Sequence, residues 1–409
     1  MKPASYAPSH SVVSEKAYKF VPPSSGNFWP WIFGRYLTRY LKKNHGIDSW
    51  ELAGREHLEA SLKAGHGILI TPNHARPSDP MALGLITAAL GQNFHMMASA
   101  HLFLDSRFQS WLLSRLGAFS VYREGMDRES LKMATDIIAT AKRPLVIFSE
   151  GVITRTNDRL IHLQEGTSFI ARTAAKQRGD KVPNGKVVVH PLAIRYTFHG
   201  ELKEALTPIL DRIETRLSWQ PQHSLTIHER VIKLGHALLA LRELEYFGVA
   251  QTGTIAERLT RLLDQVLTPL EMEWLKGRHD GTVVQRVKNL RKVILPDLVA
   301  GTVTEDDRMR RWKCLYDVDV AQQIFHFPPY YLGESPTPFQ LIETVARYEE
   351  ALGIAAPEEI GPIHIRFEFG EAIEVDPVRD KKAMSDPLMD QIRNSLTAML
   401  GIAEEQTSL

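Results

Sequence analysis

The chain has 409 residues, 44% of them hydrophobic and 24% charged, with a formal net charge of +1. That length exceeds one small core and predicts two or three structural units, or one domain with a large insertion. The balanced charge supplies no bulk field for nucleic acid, which is not expected as a partner. A single cysteine, Cys314, rules out an intramolecular disulfide framework and a multi-cysteine metal site, and fits a reducing compartment.

Residues 1–25 are polar and contain prolines and serines, which predicts a poorly ordered arm. They hold no continuous apolar core, so no secretory signal is expected. No run of about 18 apolar residues occurs, so no membrane crossing is expected either. In "FWPWIFGRYLTRYLKKN" the residues Trp29, Ile32, Phe33, Tyr36, Leu37, Tyr40 and Leu41 recur on one helical face. Arg35, Arg39, Lys42 and Lys43 fall on the other. Two readings stand: a core-packing helix with a solvated basic face, or an interfacial helix lying in the headgroups of an anionic membrane. Segment 1–45 is therefore read as an arm followed by this basic-aromatic helix.

From about residue 48 the pattern alternates. Strands are expected at 67–71, 93–99, 119–123, 144–151 and 186–196, with helices at 79–91, 105–117, 129–143 and 166–179 between them. Asp79 is expected at the N-cap of the first of these helices, with Pro80 at its first position. Such alternation predicts an α/β core over 46–200 with a mostly parallel sheet flanked by helices. Residues 201–360 turn to long helical periodicity and read as a large all-helical insertion, without a clear internal repeat. The alternating apolar positions of "GPIHIRFEFGEAIEVD" mark a closing strand, and a last helix spans 385–400. Residues 361–409 thus return to the core.

Four corners carry candidate chemistry. His74 follows a strand and Asp79 opens the next helix, at the sheet end where open α/β folds bind ligands. Asp79 can fix one imidazole nitrogen and leave the other as a base; equally, Asp79 can be only a cap and His74 only a loop residue. "FSEGVITRTNDRL" ends a strand at Glu150-Gly151 and follows it with Arg155 and Arg159, a set suited to an anion or to a solvated surface loop. Arg123 ends another strand. Pro191 lies inside an apolar strand, which predicts a bulge or an edge facing a ligand. No third histidine or carboxylate clusters with His74, so no metal site is expected.

Taken in order, the corners resemble the PlsC-like glycerolipid acyltransferases, the lysophosphatidate and glycerol-3-phosphate acyltransferase family. The first block stands here as Asn73, His74 and Asp79; the second as Gly117, Phe119, Val121 and Arg123; the third, partially, as "FSEGVITR"; the fourth as "VVVHPLAI". The resemblance covers roughly 48–200 and 361–400. It implies a glycerol-3-phosphate acyltransferase-like fold. It implies transfer of an acyl group from acyl-CoA or acyl-carrier protein, as substrate, to a hydroxyl of a lysophospholipid or glycerol phosphate. His74 is then the general base and Asp79 its orienting partner, while Asn73, Arg76, Arg123, Glu150, Gly151 and Arg155 hold substrate. No cofactor is implied. The implied setting is peripheral, on the cytoplasmic face of a membrane, with phospholipid synthesis as the role. Arg76 stands where the family often has serine, Ser149 and Val152 replace proline and threonine of the third block, and its arginine is displaced to Arg155. A non-catalytic lipid-binding module and a thioester hydrolase using the same dyad are the alternatives. Chain length, donor, acceptor and oligomeric state are not legible in the sequence.

Overall fold

A computed structural model describes residues 13–279, 281–354, 360–380, 382 and 385–402. They fall into two compact units, one within 18–200 and 359–409, the other within 1–17 and 201–358. Segment 1–45 is therefore divided: 13–17 belong with the helices and 18–45 with the sheet, while residues 1–12 lie outside the described residues.

The first unit is the expected α/β architecture. Its strands are β1 (Ile47–Ala53), β2 (Gly67–Pro72), β3 (His95–Ser99), β4 (Ala118–Val121), β5 (Leu145–Val146), β6 (Val187–Phe198), β7 (Ile363–Phe369) and β8 (Ile373–Glu374). They form one sheet in the order β1-β7-β6-β2-β5-β3-β4, with β8 also on β6. All neighbours are parallel except β6 against β7 and β8. The helices are α1 (Phe28–His45), α2 (Arg55–Lys63), α3 (Asp79–Leu90), α4 (His101–Leu104), α5 (Arg107–Arg115), α6 (Arg128–Thr140), α7 (Gly166–Lys181) and, after the second unit's six, α14 (Pro387–Leu400). β1 and α2 had no expectation from the sequence.

Strand β2 explains the centre. Every residue of "GILITP" is buried, as a parallel strand covered on both faces requires. A side chain at Gly67 would meet the Ile138 carbonyl oxygen at 2.4 Å, so α6 can lie close only over glycine. Ile137 and Ile138 of α6, Ile170 and Ala174 of α7, and Ile392 and Leu396 of α14 join Leu69, Leu145 and Val189 in one core.

Pro191 neither bulges its strand nor lies at an edge. β6 pairs β2 through Pro191 and Leu192, while its other side pairs β8 up to Val189 and β7 from Leu192. The proline thus sits where the β7–β8 chain leaves the ladder, and no strand hydrogen bond is lost there.

The arm is ordered where it is described. The Ser120 amide donates to the Val21 carbonyl (3.1 Å), Val21 donates back to the Ser120 hydroxyl (2.8 Å), and Tyr18 donates to Asp127 (2.7 Å). Phe20 packs on the core. Two aromatic anchors offset the entropy of ordering this segment, which composition alone did not reveal.

Helix α1 is packed on one side and open on the other. Leu41 is buried and Leu37 reaches Gly84 of α3. Phe28, Trp31, Tyr36 and Tyr40 nevertheless remain 46–67% exposed. The apolar face drawn from the sequence is therefore two stripes, one packed and one open.

The second unit holds α8 (Leu202–Arg216), α9 (Ile227–Phe247), α10 (Ile255–Leu275), α11 (Val283–Ala300), α12 (Glu305–Phe325) and α13 (Pro338–Ala351). An internal repeat does run through it, contrary to the sequence reading. α9, α10 and α11 begin "TIHER", "TIAER" and "TVVQR", and the steps Thr226 to Thr254 and Thr254 to Thr282 are both 28 residues. Each threonine caps its helix by accepting the amide three residues on. Each arginine reaches back to a glutamate near the end of the preceding helix: Arg230 to Glu214 (3.0 and 2.7 Å), Arg258 to Glu243 (2.8 and 2.8 Å), Arg286 to Glu271 (2.8 and 2.9 Å). Glu214 and Glu243 also accept the loop amides of Gln222 and Gln251, both at 2.9 Å. The apolar positions that follow align at the same step, Leu234, Leu262 and Leu290, then Leu239, Leu267 and Leu295, all buried, so the repeat shows itself in both its ion pairs and its core.

Candidate active site

β2 ends at Pro72, and the chain turns away through Asn73 and His74 before α3. At this corner Asp79 is the first helical residue rather than the cap. Its carboxylate turns back. Oδ2 accepts from His74 Nδ1 at 2.9 Å and from the Arg76 amide at 2.9 Å. Oδ1 accepts from the Tyr196 hydroxyl. Asp79 is fully buried, and three donors compensate its charge. Tyr196 is the donor to Asp79, because burial and then the charge of Asp79 push its hydroxyl well above the ordinary tyrosine range.

His74 is held on three sides. Its ring stacks on Phe148 with centroids 4.1 Å apart. Its amide donates to Glu150 Oε1 (2.7 Å). Its carbonyl accepts from the Thr154 amide (2.8 Å) and hydroxyl (3.0 Å). With Nδ1 directed at Asp79, Nε2 is the nitrogen left for substrate, and the side chain is 13% exposed. The pair is therefore held in one geometry, with the imidazole partly reachable from outside.

Asn73 and Glu150 have a different place from the one the sequence suggested. The Asn73 amide donates to the Ile194 carbonyl (3.0 Å) and accepts from the Ile194 amide (2.7 Å). It satisfies the β6 edge that β2 no longer covers. Asn157 does the same two residues along, accepting from the Tyr196 amide at 2.7 Å and donating to its carbonyl at 3.3 Å. Glu150 is fully buried and accepts from the amides of His74 and Ile161 (3.0 Å). Burial pushes its carboxyl up to about 7, against the lowering pull of those two amides. Both side chains bond backbone groups and support the corner.

The cations are half-buried. Arg76 lies over the Tyr196 ring at 5.3 Å, a cation–π contact that anchors it beside the dyad. Arg123 donates to the Gly151 carbonyl, and Gly151 has a left-handed φ of 72°. Arg155 follows Thr154 directly, also left-handed at φ 57°. The structure thus brings Arg76 to the dyad and Arg123 to the Glu150-Gly151 turn. Among the described residues no group of three or more His, Cys, Asp or Glu is placed to hold a metal.

Sequence reasoning missed Tyr196, Phe148, Thr154 and Asn157. Tyr196 stood at the end of a strand already identified. Asn157 carries no signal in the sequence because the open edge of β6 is invisible without the sheet order.

No curated protein matches the chain. Residues 51–195 match the family model described as Acyltransferase. That span runs from within β1 to within β6 and contains His74, Asp79, Arg123, Glu150 and Gly151. Residues 51–195 are therefore a domain similar to the acyltransferase family, the family of PlsC-like glycerolipid acyltransferases, and that domain supports acyl transfer as the chemistry.

Proposed function

We propose that this chain moves a fatty acyl group from a thioester, acyl-CoA or acyl-carrier protein, to a hydroxyl of a lysophospholipid or glycerol phosphate in phospholipid synthesis. The observation that carries it is the His74–Asp79 hydrogen bond at 2.9 Å, with Asp79 pinned by two further donors. Nε2 takes the proton of the acceptor hydroxyl as its oxygen attacks the thioester carbonyl. Asp79 stabilises the imidazolium. The tetrahedral intermediate then breaks its C–S bond, and the sulfur leaves with the proton from Nε2, so the base is restored. General-base assistance of this kind contributes about 100- to 10,000-fold. Arg76, Arg123 and Arg155 are the cations for the acceptor's or donor's phosphate. The reading uses no cofactor.

A membrane surface is the proposed partner, with the chain peripheral on its cytoplasmic face. No helix among the described residues is long and apolar enough to cross a membrane. Trp29 of α1 meets Trp111 of α5 edge-on at 4.9 Å, and beside this junction Phe28, Trp31, Tyr36 and Phe108 are 59–68% exposed. Arg35, Arg39, Lys42 and Lys43 interleave with them. Exposed aromatics among cations are what an anionic lipid interface accepts.

The test is labelled oleoyl-CoA incubated with a panel of lysolipids and glycerol phosphate, with the wild type and His74→Ala. An acylated acceptor that falls at least about 100-fold in the variant supports the reading. Free oleate independent of acceptor means a hydrolase, and no turnover means a binding module; either outcome overturns it.

A further inference from the structure

The helical unit encloses a cavity of about 470 Å³. Its walls come from α9, α10, α12, α13 and the turn at 327–332, and all lining residues lie between Arg216 and Leu352. None belongs to the segment that matches the family. The floor is apolar: Leu239, Leu262, Val320, Ile324 and Tyr348 are all at most 8% exposed. The α9 lip carries Ile232 and Leu241, exposed at 36% and 47%.

The polar part of the lining is cationic. Arg216, Arg242 and Arg347 stand against one acid, Glu245. Arg216 donates to the Leu352 carbonyl (2.9 Å), and Arg242 donates to Glu245 (2.7 Å) and to the Tyr316 hydroxyl (3.4 Å). Arg347 lies over Phe327 and Tyr331 at 5.0 and 5.2 Å. Their own hydrogen bonds hold these guanidinium groups in place, so a ligand anion meets charges already positioned. A mostly apolar hollow of this size with a few fixed polar groups is the form that small-molecule sites take.

We infer that the helical unit binds one long-chain fatty acyl ligand with an anionic head, its chain along α9 and α10 and its head among Arg216, Arg242 and Arg347. The apolar length and the cationic excess select an amphiphilic anion. The choice of an acyl chain within that class rests on the acyl-transfer reading above. The site is separate from the His74 corner in its residues and holds its ligand without reacting it.

Equilibrium dialysis of the full chain with radiolabelled oleate, and separately with oleyl alcohol, tests this. The expected result is saturable binding of one oleate per chain, tighter than the alcohol, and within about twofold of wild type in His74→Ala. Leu259→Trp, which fills the hollow, and Leu241→Asp, a change on the exposed lip that folding tolerates, each weaken oleate at least about tenfold. Absence of saturable binding overturns the inference, as does binding that both cavity variants leave unchanged or that His74→Ala removes. If acyl transfer fails while cavity-dependent oleate binding persists, the transfer reading falls and this site stands. If transfer proceeds and oleate does not bind, this site falls alone.

Discussion

Glu150→Gln separates support from chemistry at the corner. Wild-type Glu150 is buried with its carboxyl pushed from 4.5 up to about 7. The fold therefore prefers the neutral acid, and as pH rises the unfolded chain gives up this proton first. The stability from this group is full below the unfolded value, falls as pH rises through the window from 4.5 to about 7, and is flat above it. Each unit inside the window costs on the order of 1 kcal/mol, so between pH 5 and pH 8 the group removes roughly 2–3 kcal/mol. Glutamine does not ionise and escapes this loss. It has one acceptor oxygen for the two amides of His74 and Ile161, however, and strands the other at a cost of about 1–3 kcal/mol independent of pH. The variant is then the less stable protein at pH 5, and the gap closes or reverses at pH 8. Pulse hydrogen exchange of the β2 peptide across a urea series, at each pH, reads the sheet unit by itself. A stability gap that is the same at both pH values, within about 0.5 kcal/mol, refutes the buried neutral carboxyl and this account of the window.

Two further outcomes are expected. Arg258→Met leaves Glu243 buried and uncompensated, and the helical unit loses about 3–5 kcal/mol. Arg258→Met with Glu243→Leu recovers most of that, short of about 1–3 kcal/mol for the Gln251 amide left without its acceptor. Urea unfolding followed by exchange in α9 and α10 measures both; a single variant costing less than about 1 kcal/mol would mean the clamp is an ordinary surface pair. Trp31→Ser with Phe108→Ser weakens sedimentation with anionic vesicles by about tenfold or more, given the apolar area each ring would bury. Unchanged sedimentation would make α1 and α5 structural only.

What the sequence disclosed follows from how local each signal is. The alternation of apolar runs carried the α/β core because a parallel strand such as "GILITP" is uniformly buried and so uniformly apolar. The His74 and Asp79 spacing carried the dyad because one strand end and one helix start hold both residues. Tyr196 could not be joined to them from the sequence: it is 117 residues from Asp79 in the chain, and only the adjacency of β2 and β6 brings it there. The same adjacency turned Asn73 from a ligand candidate into a clip on β6. Glu150 was found as a polar residue beside a glycine, but its partners are backbone amides, which have no letter in a sequence. β1 went unread because its apolar content is broken by Asp48, Ser49 and Glu51, as suits a strand at the sheet edge.

The Thr-Arg-Glu clamps of the helical unit join only successive helices. A stretch of 28 residues added or removed between one threonine and the next leaves every clamp charge with its partner, because the incoming helix brings both a cap for itself and a glutamate for its successor. Copy number can therefore drift by duplication without a compensating change elsewhere in the clamps. The two walls of the hollow that such helices supply, α9 and α10, are then open to change in whole helical steps, where a cavity inside the sheet unit could be altered only one side chain at a time.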